Sequence, residues 1–331
     1  MPKSLAIIGA GVSGLTCGVL LAERGFHTAI LAEQIGQQTT SGAAAALWFP
    51  YDCEPRDKVI AWALATYERL VDLCDDRRSG VSMIELRQFS RTGELEIPDW
   101  AIPLGARRFP PPVISSENAS PARTETSLTV DAGVFKSGFV ISVPLMDTTI
   151  YLDYLADRFR AAGGQIHAGM RLQKLEEIDR EFDLIINCAG IGAHAIVHDV
   201  DLESHRGQVA IVPKIDNLAS AIVCDDAPLM YAIPRTHDCV FGGTNEISDD
   251  LDVDPTSTSR IVAECSRVLK IDNPPVLAQR VGLRPYRKSG VRLERAQLRD
   301  GRTVIHNYGH GGSGFTLSWG CAGQACQLAT R

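Results

Sequence analysis

The chain has 331 residues, 45% apolar, 22% charged and 6% aromatic, which suffices for a sizeable core and excludes collagen-like, disordered and disulfide-scaffold classes. Lys and Arg number 33 against 40 Asp and Glu, a formal net charge of −7 without any basic run, so no nucleic-acid partner is expected. No stretch approaches the roughly 20 apolar residues of a membrane helix, and the nine scattered cysteines, with no C-x-x-C pair, read as free thiols of a reducing compartment, the cytoplasm by default.

In chain order, residues 5–8 form a short apolar strand that runs into Gly9-Ala10-Gly11-Val12-Ser13-Gly14. Leu15, Val19 and Ala22 then recur near helical spacing, Gly25 supplies a stop, and residues 28–32 make a second strand, completing a βαβ unit. A turn-rich, small-residue segment follows over residues 39–51, then a helix marked by Ile60, Ala63, Leu64, Tyr67, Leu70 and Val71. Residues 80–130, with Pro110-Pro111-Pro112 near the centre, read as short strands and loops. Helical periodicity returns at Leu152, Leu155 and Phe159, and an apolar strand is expected over residues 183–188. Residues 207–245 alternate strand and turn, residues 257–269 are helical, and a glycine-rich turn at 309–314 precedes a last helix. This pattern implies a nucleotide domain of the α/β class, assembled from discontinuous segments, with a strand-rich second domain inserted between them.

The glycine motif gains force from its context, because it follows a strand, opens a helix and is answered by Glu33 at the end of the second strand. Its glycines permit a tight turn and close approach of a pyrophosphate to a helix N-terminus, where free N–H groups and the helix dipole favour negative charge. Glu33 is placed to accept hydrogen bonds from ribose hydroxyls, and an acidic residue there disfavours a 2′-phosphate. The spacing leaves FAD and NAD both open.

Three further segments carry a resemblance. They are residues 39–51 (Thr39-Thr40-Ser41-Gly42 through Trp48-Phe49-Pro50-Tyr51), residues 281–294 (Val281-Gly282-Leu283-Arg284-Pro285-Tyr286-Arg287 onward), and residues 306–322 (His306-Asn307-Tyr308-Gly309-His310-Gly311-Gly312-Ser313-Gly314-Phe315-Thr316 through Trp319-Gly320-Cys321-Ala322). Together with the N-terminal unit they resemble the D-amino-acid oxidase and D-aspartate oxidase family, in that family's order. The resemblance implies a Rossmann-type FAD-binding domain of residues 1–50, 145–200 and 285–331, with an inserted mixed α+β substrate domain of residues 51–144 and 201–284. It implies FAD held without a covalent bond, so that Cys321 is a buried thiol and no flavin tether.

Carried over to this chain, the resemblance puts Gly9, Gly11, Val12, Ser13 and Gly14 at the pyrophosphate and Glu33 and Gln34 at the adenosine ribose. Thr39, Thr40, Ser41, Ala45, Ala46 and Leu47 line the diphosphate and flavin ring, and the backbone of Leu175 meets the adenine. Gly311, Gly312, Ser313, Gly314, Phe315 and Thr316 hold the flavin's pyrimidine edge. Arg284 clamps the substrate carboxylate, Tyr231 hydrogen-bonds it, and the Gly312 carbonyl orients the amine. The residues agree where they speak: an Arg offers the planar fork that suits a carboxylate, and a glycine turn before a helix suits charge at a reduced flavin.

The activity so implied is oxidation of a D-amino acid to an imino acid by hydride transfer from Cα to flavin N5, with O2 as acceptor and a 2-oxo acid, ammonia and hydrogen peroxide as products. A glycine-type or secondary-amine oxidase, D-aspartate oxidase and a non-catalytic FAD-binding protein are the alternatives. The family's second tyrosine on a mobile lid is replaced by Ala227. His306 and His310 are expected to be structural, Asp225-Asp226 and Asp249-Asp250 to be solvated pairs, and no metal spacing is present. Neutral side chains are expected to outrank D-aspartate, since a buried acid needs a second cation. Arg235, just past Pro234, is the candidate for that cation, and Arg287 should point to the opposite strand face. Small-molecule substrate and O2 are the expected partners, with no membrane partner and a homodimer left open.

Overall fold

The apolar run at residues 5–8 has neighbours on both sides and so becomes an interior strand; a computed structural model describes residues 4–51, 53–109 and 134–330. The strands are β1 Ser4–Ala10, β2 His27–Ile35, β3 Val81–Ser90, β4 Arg107–Arg108, β5 Ser137–Met146, β6 Gln165–His167, β7 Leu184–Asn187 and β8 Leu202–Pro213. They continue with β9 Ser220–Cys224, β10 Met230–Pro234, β11 Asp238–Gly242, β12 Glu246–Ile247, β13 Ala278–Arg287, β14 Arg292–Gln297 and β15 Thr303–Tyr308. The helices are α1 Val12–Ala22, α2 Thr40–Ala43, α3 Arg56–Leu73, α4 Thr148–Ala161, α5 Ala193–Ile196, α6 Pro255–Leu269 and α7 Gly314–Ala329.

The first sheet has the order β14-β15-β7-β1-β2-β6. Its strands are parallel except for β14, which returns antiparallel beside β15. Ile7 sits opposite Ile30 on one side and Ile186 on the other, and all three are fully buried. Helix α1 packs against both α4 and α7, while α7 also meets α3, closing the apolar layer on that face. The connection from β1 leads to β2 on one side while β7 flanks it on the other. Such a change of winding direction opens a crevice at the carboxyl ends of the strands.

The second sheet runs β12-β8-β11-β10-β9-β3-β5-β4, with β13 antiparallel to β8 along its whole length. It is mixed because β3 lies parallel to β9. Helix α6 covers one face. Asp254 caps it by accepting from the Thr256 and Ser257 N–H groups, and Pro255 opens the first turn. The two-residue period of a strand then sorts the side chains: Met230 and Ala232 pack under α6, while Tyr231 and Ile233 face the opposite way.

Within residues 80–130, expected as short strands and loops, residues 81–90 form one longer strand, β3, which pairs with β5 over its full ten residues. Its burial does not alternate, as Leu86 and Gln88 border a cavity while Phe89 enters the core under α6, so the periodic signal is lost. The Pro110-Pro111-Pro112 run lies outside the described residues. No helix among the described residues is long and apolar enough to cross a membrane. No group of His, Cys, Asp or Glu among them could hold a metal ion.

Candidate active site

A cavity of about 550 Å³ opens where the carboxyl ends of β1, β2 and β7 meet the uncovered face of the second sheet, a size that suits a cofactor-scale ligand. At the β1 end the chain turns on glycines. Gly9 has φ +97°, and a Cβ there would lie 2.6 Å from the Cys188 carbonyl oxygen. A Cβ on Gly14 would collide with the Gly9 carbonyl, so this glycine closes the turn from inside and does not line the cavity. Gly11, Val12 and Ser13 do line it. Helix α1 begins without a side-chain cap on Gly11, although the Val12 N–H is taken by Ser41 Oγ at 3.0 Å. An uncapped helix start directed at a cavity is suited to an anion.

Glu33 and Gln34 lie on the lining at the end of β2, where Glu33 is largely exposed and Arg171 stands 3.9 Å away. Thr39, Thr40, Ser41, Ala45, Ala46 and Leu47 form an adjoining wall. Leu175 is corrected: it is 1% exposed in the core with Ala6, Ile8 and Leu31, and residues 170–173 border the cavity instead. Its apolar side chain draws that turn inward and leaves the preceding backbone at the cavity edge. The strand end at Cys188, with the glycine turn of Gly190 and Gly192, also borders the cavity. The signal for that turn was present as glycines directly after an apolar strand.

At the opposite wall, Gly311, Gly312, Gly314 and Phe315 line the cavity where α7 begins, again without a side-chain cap. Ser313 and Thr316 do not line it. Ser313 Oγ accepts from the Tyr51 N–H at 2.8 Å, and Thr316 Oγ1 accepts from the Phe49 N–H at 3.1 Å and donates to its carbonyl at 3.0 Å. These hydroxyls pin residues 49–51 to the helix start, and so place Phe49 and Tyr51 on the lining.

Arg284 on β13 and Tyr231 on β10 meet at this end because glycines make room for them. A Cβ on Gly207 would collide with the Arg284 guanidinium, and Cβ atoms on Gly242 or Gly243 would collide with the Tyr231 ring or hydroxyl. Gly312 lies alongside, its missing Cβ 2.8 Å from the Tyr51 ring and 3.7 Å from Arg284 Cδ. Arg284 Nη1 donates to the Thr244 carbonyl at 3.0 Å and to Asn245 Oδ1 at 3.4 Å. Both partners are neutral, and among the described residues Arg284 forms no ion pair. A cation so held is a receptor for an incoming carboxylate. Burial pushes the Tyr231 phenol up, against the opposing pull of Arg284, so it stays a protonated donor.

Arg235 is neither exposed nor at the cavity. Its side chain is 1% exposed, forked onto Asp238 at 2.7 Å and bonded to Thr148 Oγ1 at 3.0 Å. Arg287 is likewise off the lining, held by Asp199 at 2.9 Å and the Gly290 carbonyl at 3.0 Å. Of the Asp225-Asp226 pair, expected to be solvated, Asp225 is exposed and Asp226 is half-buried. Asp226 accepts from Ser90 Oγ at 2.8 Å and from the Arg91 N–H at 2.6 Å, while Asp225 opens onto the cavity beside Gln88. Sequence reasoning missed Asp225 and Gln88, because only the pairing of β3 with β9 brings them together.

Of the two histidines, His310 borders the cavity, with its Nε2 3.1 Å from Asn307 Oδ1, and His306 packs beside Asn187 at 3.3 Å. Burial pushes both down to about 4, so both are neutral at ordinary pH. Cys321 is a fully buried free thiol within α7, away from the lining.

The family model described as FAD dependent oxidoreductase matches residues 4–328. A D-amino-acid oxidase of Rubrobacter xylanophilus is 36% identical over 98% of this chain and 94% of that protein. A D-amino-acid oxidase of Streptomyces coelicolor is 36% identical over 98% and 96% respectively. Among solved structures, glycine oxidase from Geobacillus kaustophilus superposes with a TM-score of 0.80 at 15% identity, over 99% of this chain and 95% of that one, a likeness of fold. With the family matched from the first described strand to the end of the last helix, the chain belongs to the FAD-dependent oxidoreductases.

Proposed function

We propose that this chain is a D-amino-acid oxidase that takes its substrate to an imino acid, released as a 2-oxo acid and ammonia after hydrolysis. The observation that carries the reading is Arg284, a guanidinium that forms no ion pair among the described residues and shares one cavity with the β1 glycine turn. Relatives at 36% identity named D-amino-acid oxidase support the stereochemistry. When bound, FAD would supply the two-electron acceptor for the hydride of the substrate Cα, with O2 as the final acceptor and hydrogen peroxide as the product.

The residues present fit that group. The glycine turn leaves a space that side chains would fill, and two helix starts without side-chain caps border the same cavity. Gly9, Gly11, Val12 and Ser13 would hold the pyrophosphate with Gly14 shaping the turn, Glu33 and Gln34 the ribose, and residues 170–173 the adenine in place of Leu175. Thr39, Thr40, Ser41, Ala45, Ala46 and Leu47 would wall the diphosphate and ring, and the start of α7 would meet the ring's far edge. Ser313 and Thr316 serve by pinning residues 49–51.

The protein's own work is positioning. Arg284 fixes the substrate carboxylate, Tyr231 donates to the same group, and the Gly312 carbonyl receives the amine, so that Cα is held toward the cofactor. The neutral histidines are left as packing groups. Arg235 and Arg287 are both committed elsewhere, which supports the ranking of neutral side chains above D-aspartate. The division into residues 1–50, 145–200 and 285–331 against 51–144 and 201–284 fits which segments feed which sheet. Nine cysteines, with no disulfide among the described residues, support a reducing compartment such as the cytoplasm.

The test is the visible flavin spectrum of the purified protein under anaerobic addition of D- and L-amino acids. Bleaching by D-enantiomers alone is expected. Bleaching by L-enantiomers alone, or by glycine and secondary amines only, would refute the reading.

A further inference from the structure

The turn between β9 and β10 presents two carboxylates in opposite directions. Asp226 faces the protein, and Arg91 grips the turn from behind through the Asp226 carbonyl at 2.9 Å and an ion pair with Glu264 at 2.6 Å. The turn is thereby braced. Asp225 faces the cavity, where its one hydrogen-bond partner among the described residues is Gln88 Nε2 at 2.8 Å.

Gln88 is only 4% exposed, and once its amide donates to Asp225 its Oε1 is left buried without a partner. Turning the amide around would set oxygen against carboxylate, so the pairing fixes its orientation. The polar group this wall presents to the cavity is therefore the Asp225 carboxylate, an acceptor held in place by Gln88. The neighbouring lining is apolar, with Leu86, Val223, Leu229 and Ile233, and suits an aliphatic stem. Tyr231 lies within electrostatic reach of both Arg284 and Asp225.

We infer that Asp225 reads the substrate side chain and selects D-amino acids that end in a hydrogen-bond donor, cationic ones above all. This rests on the D-amino-acid oxidase reading and refines it: neutral side chains still outrank acidic ones, which would meet Asp225 as a like charge, and cationic ones outrank both. Asp225 is exposed at the cavity, yet the protein crowded around it and the neighbouring Asp226 charge raise its carboxyl, a cost that a substrate ammonium would relieve.

The experiment compares kcat/KM of the holoenzyme for D-lysine, D-ornithine and D-norleucine, the last matching D-lysine without its ammonium. D-Lysine is expected to lead D-norleucine by about ten-fold or more. In Asp225→Asn that ratio should fall by about ten-fold, and Asp225→Lys should shift preference toward D-glutamate. An unchanged ratio in Asp225→Asn would overturn the inference. So would an equal loss on all three substrates, which would assign Asp225 to the α-ammonium or to the scaffold. D-Norleucine bleaching the flavin while D-lysine fails would sink this inference alone, whereas failure of every D-amino acid would remove the oxidase reading beneath it.

Discussion

Where the cavity meets β1, the chain is defined by what it omits: a Cβ at Gly9 or Gly14 would strike backbone. Where it meets the second sheet, it is defined by what it places there, a guanidinium, a phenol and a carboxylate on three different strands or turns. Glycines occur at both ends but serve differently. Gly14 lets backbone approach backbone, whereas Gly207 and Gly242 clear space for Arg284 and Tyr231. The first end is built mainly from backbone brought close by glycines, and the second is a set of side chains whose identities choose the substrate.

This contrast can be broken by paired alanines. Gly14→Ala should weaken FAD by about 3 kcal/mol, the upper range for overpacking, because the obstruction is backbone. Gly207→Ala should leave FAD bound and lower amino-acid kcat/KM by a similar factor, since it pushes the guanidinium aside. Flavin titration and turnover on both variants decide it, and equal flavin loss in both would show the ends to be one unit.

Acid should act on the core between them. Burial holds His306 and His310 down to about 4, against about 6.5 in an unfolded chain. The unfolded chain thus takes up protons that the folded one refuses. The contribution is complete above about pH 6.5 and is lost as pH falls toward 4, by about 3 kcal/mol per histidine at most. Thermal melts from about pH 7.5 to about pH 5 should fall less steeply in His310→Asn than in the parent. Parallel curves would place the histidines outside this account.

Glu33→Ala should weaken FAD by about 1 to 3 kcal/mol without altering which amino acid is preferred, the scale of hydrogen bonds to a charged group. A change in substrate ranking in that variant would join the two ends after all. The smallest effect on catalysis is expected from Arg235→Ala. Loss of its buried pair with Asp238 should lower the melting temperature, yet the ratio of D-methionine to D-aspartate turnover should stay within about two-fold. A rise in that ratio would restore Arg235 as the second cation.

The sequence carried the β1 end well because its signals are local: glycines after a strand, before a helix and followed by an acid. It also carried Arg284, Tyr231 and Gly312 through resemblance, and all three border the same cavity. The remainder depended on pairing between distant segments. Asp225 is exposed, as expected of a solvated pair, but its place on the cavity beside Gln88 follows only from the pairing of β3 with β9. Arg235 stood as the candidate second cation because Asp238 and Thr148, which hold it, meet it only in the folded chain. Leu175 fell one turn too far along, since an apolar residue near a cavity edge turns into the core and leaves the border to its neighbours.

The most direct test of the central claim is anaerobic flavin reduction by D-methionine in Arg284→Ala against the parent, with FAD content measured in both. A substrate carboxylate left over the flavin without its cation costs about 3 to 5 kcal/mol, so reduction should slow by at least about 100-fold at limiting substrate while FAD stays bound. Arg284→Lys should recover only part of the rate, as a point charge cannot reproduce the fork. Reduction of the Ala variant at near the parent rate, with flavin equally bound, would contradict the assignment of Arg284 as the substrate's receptor.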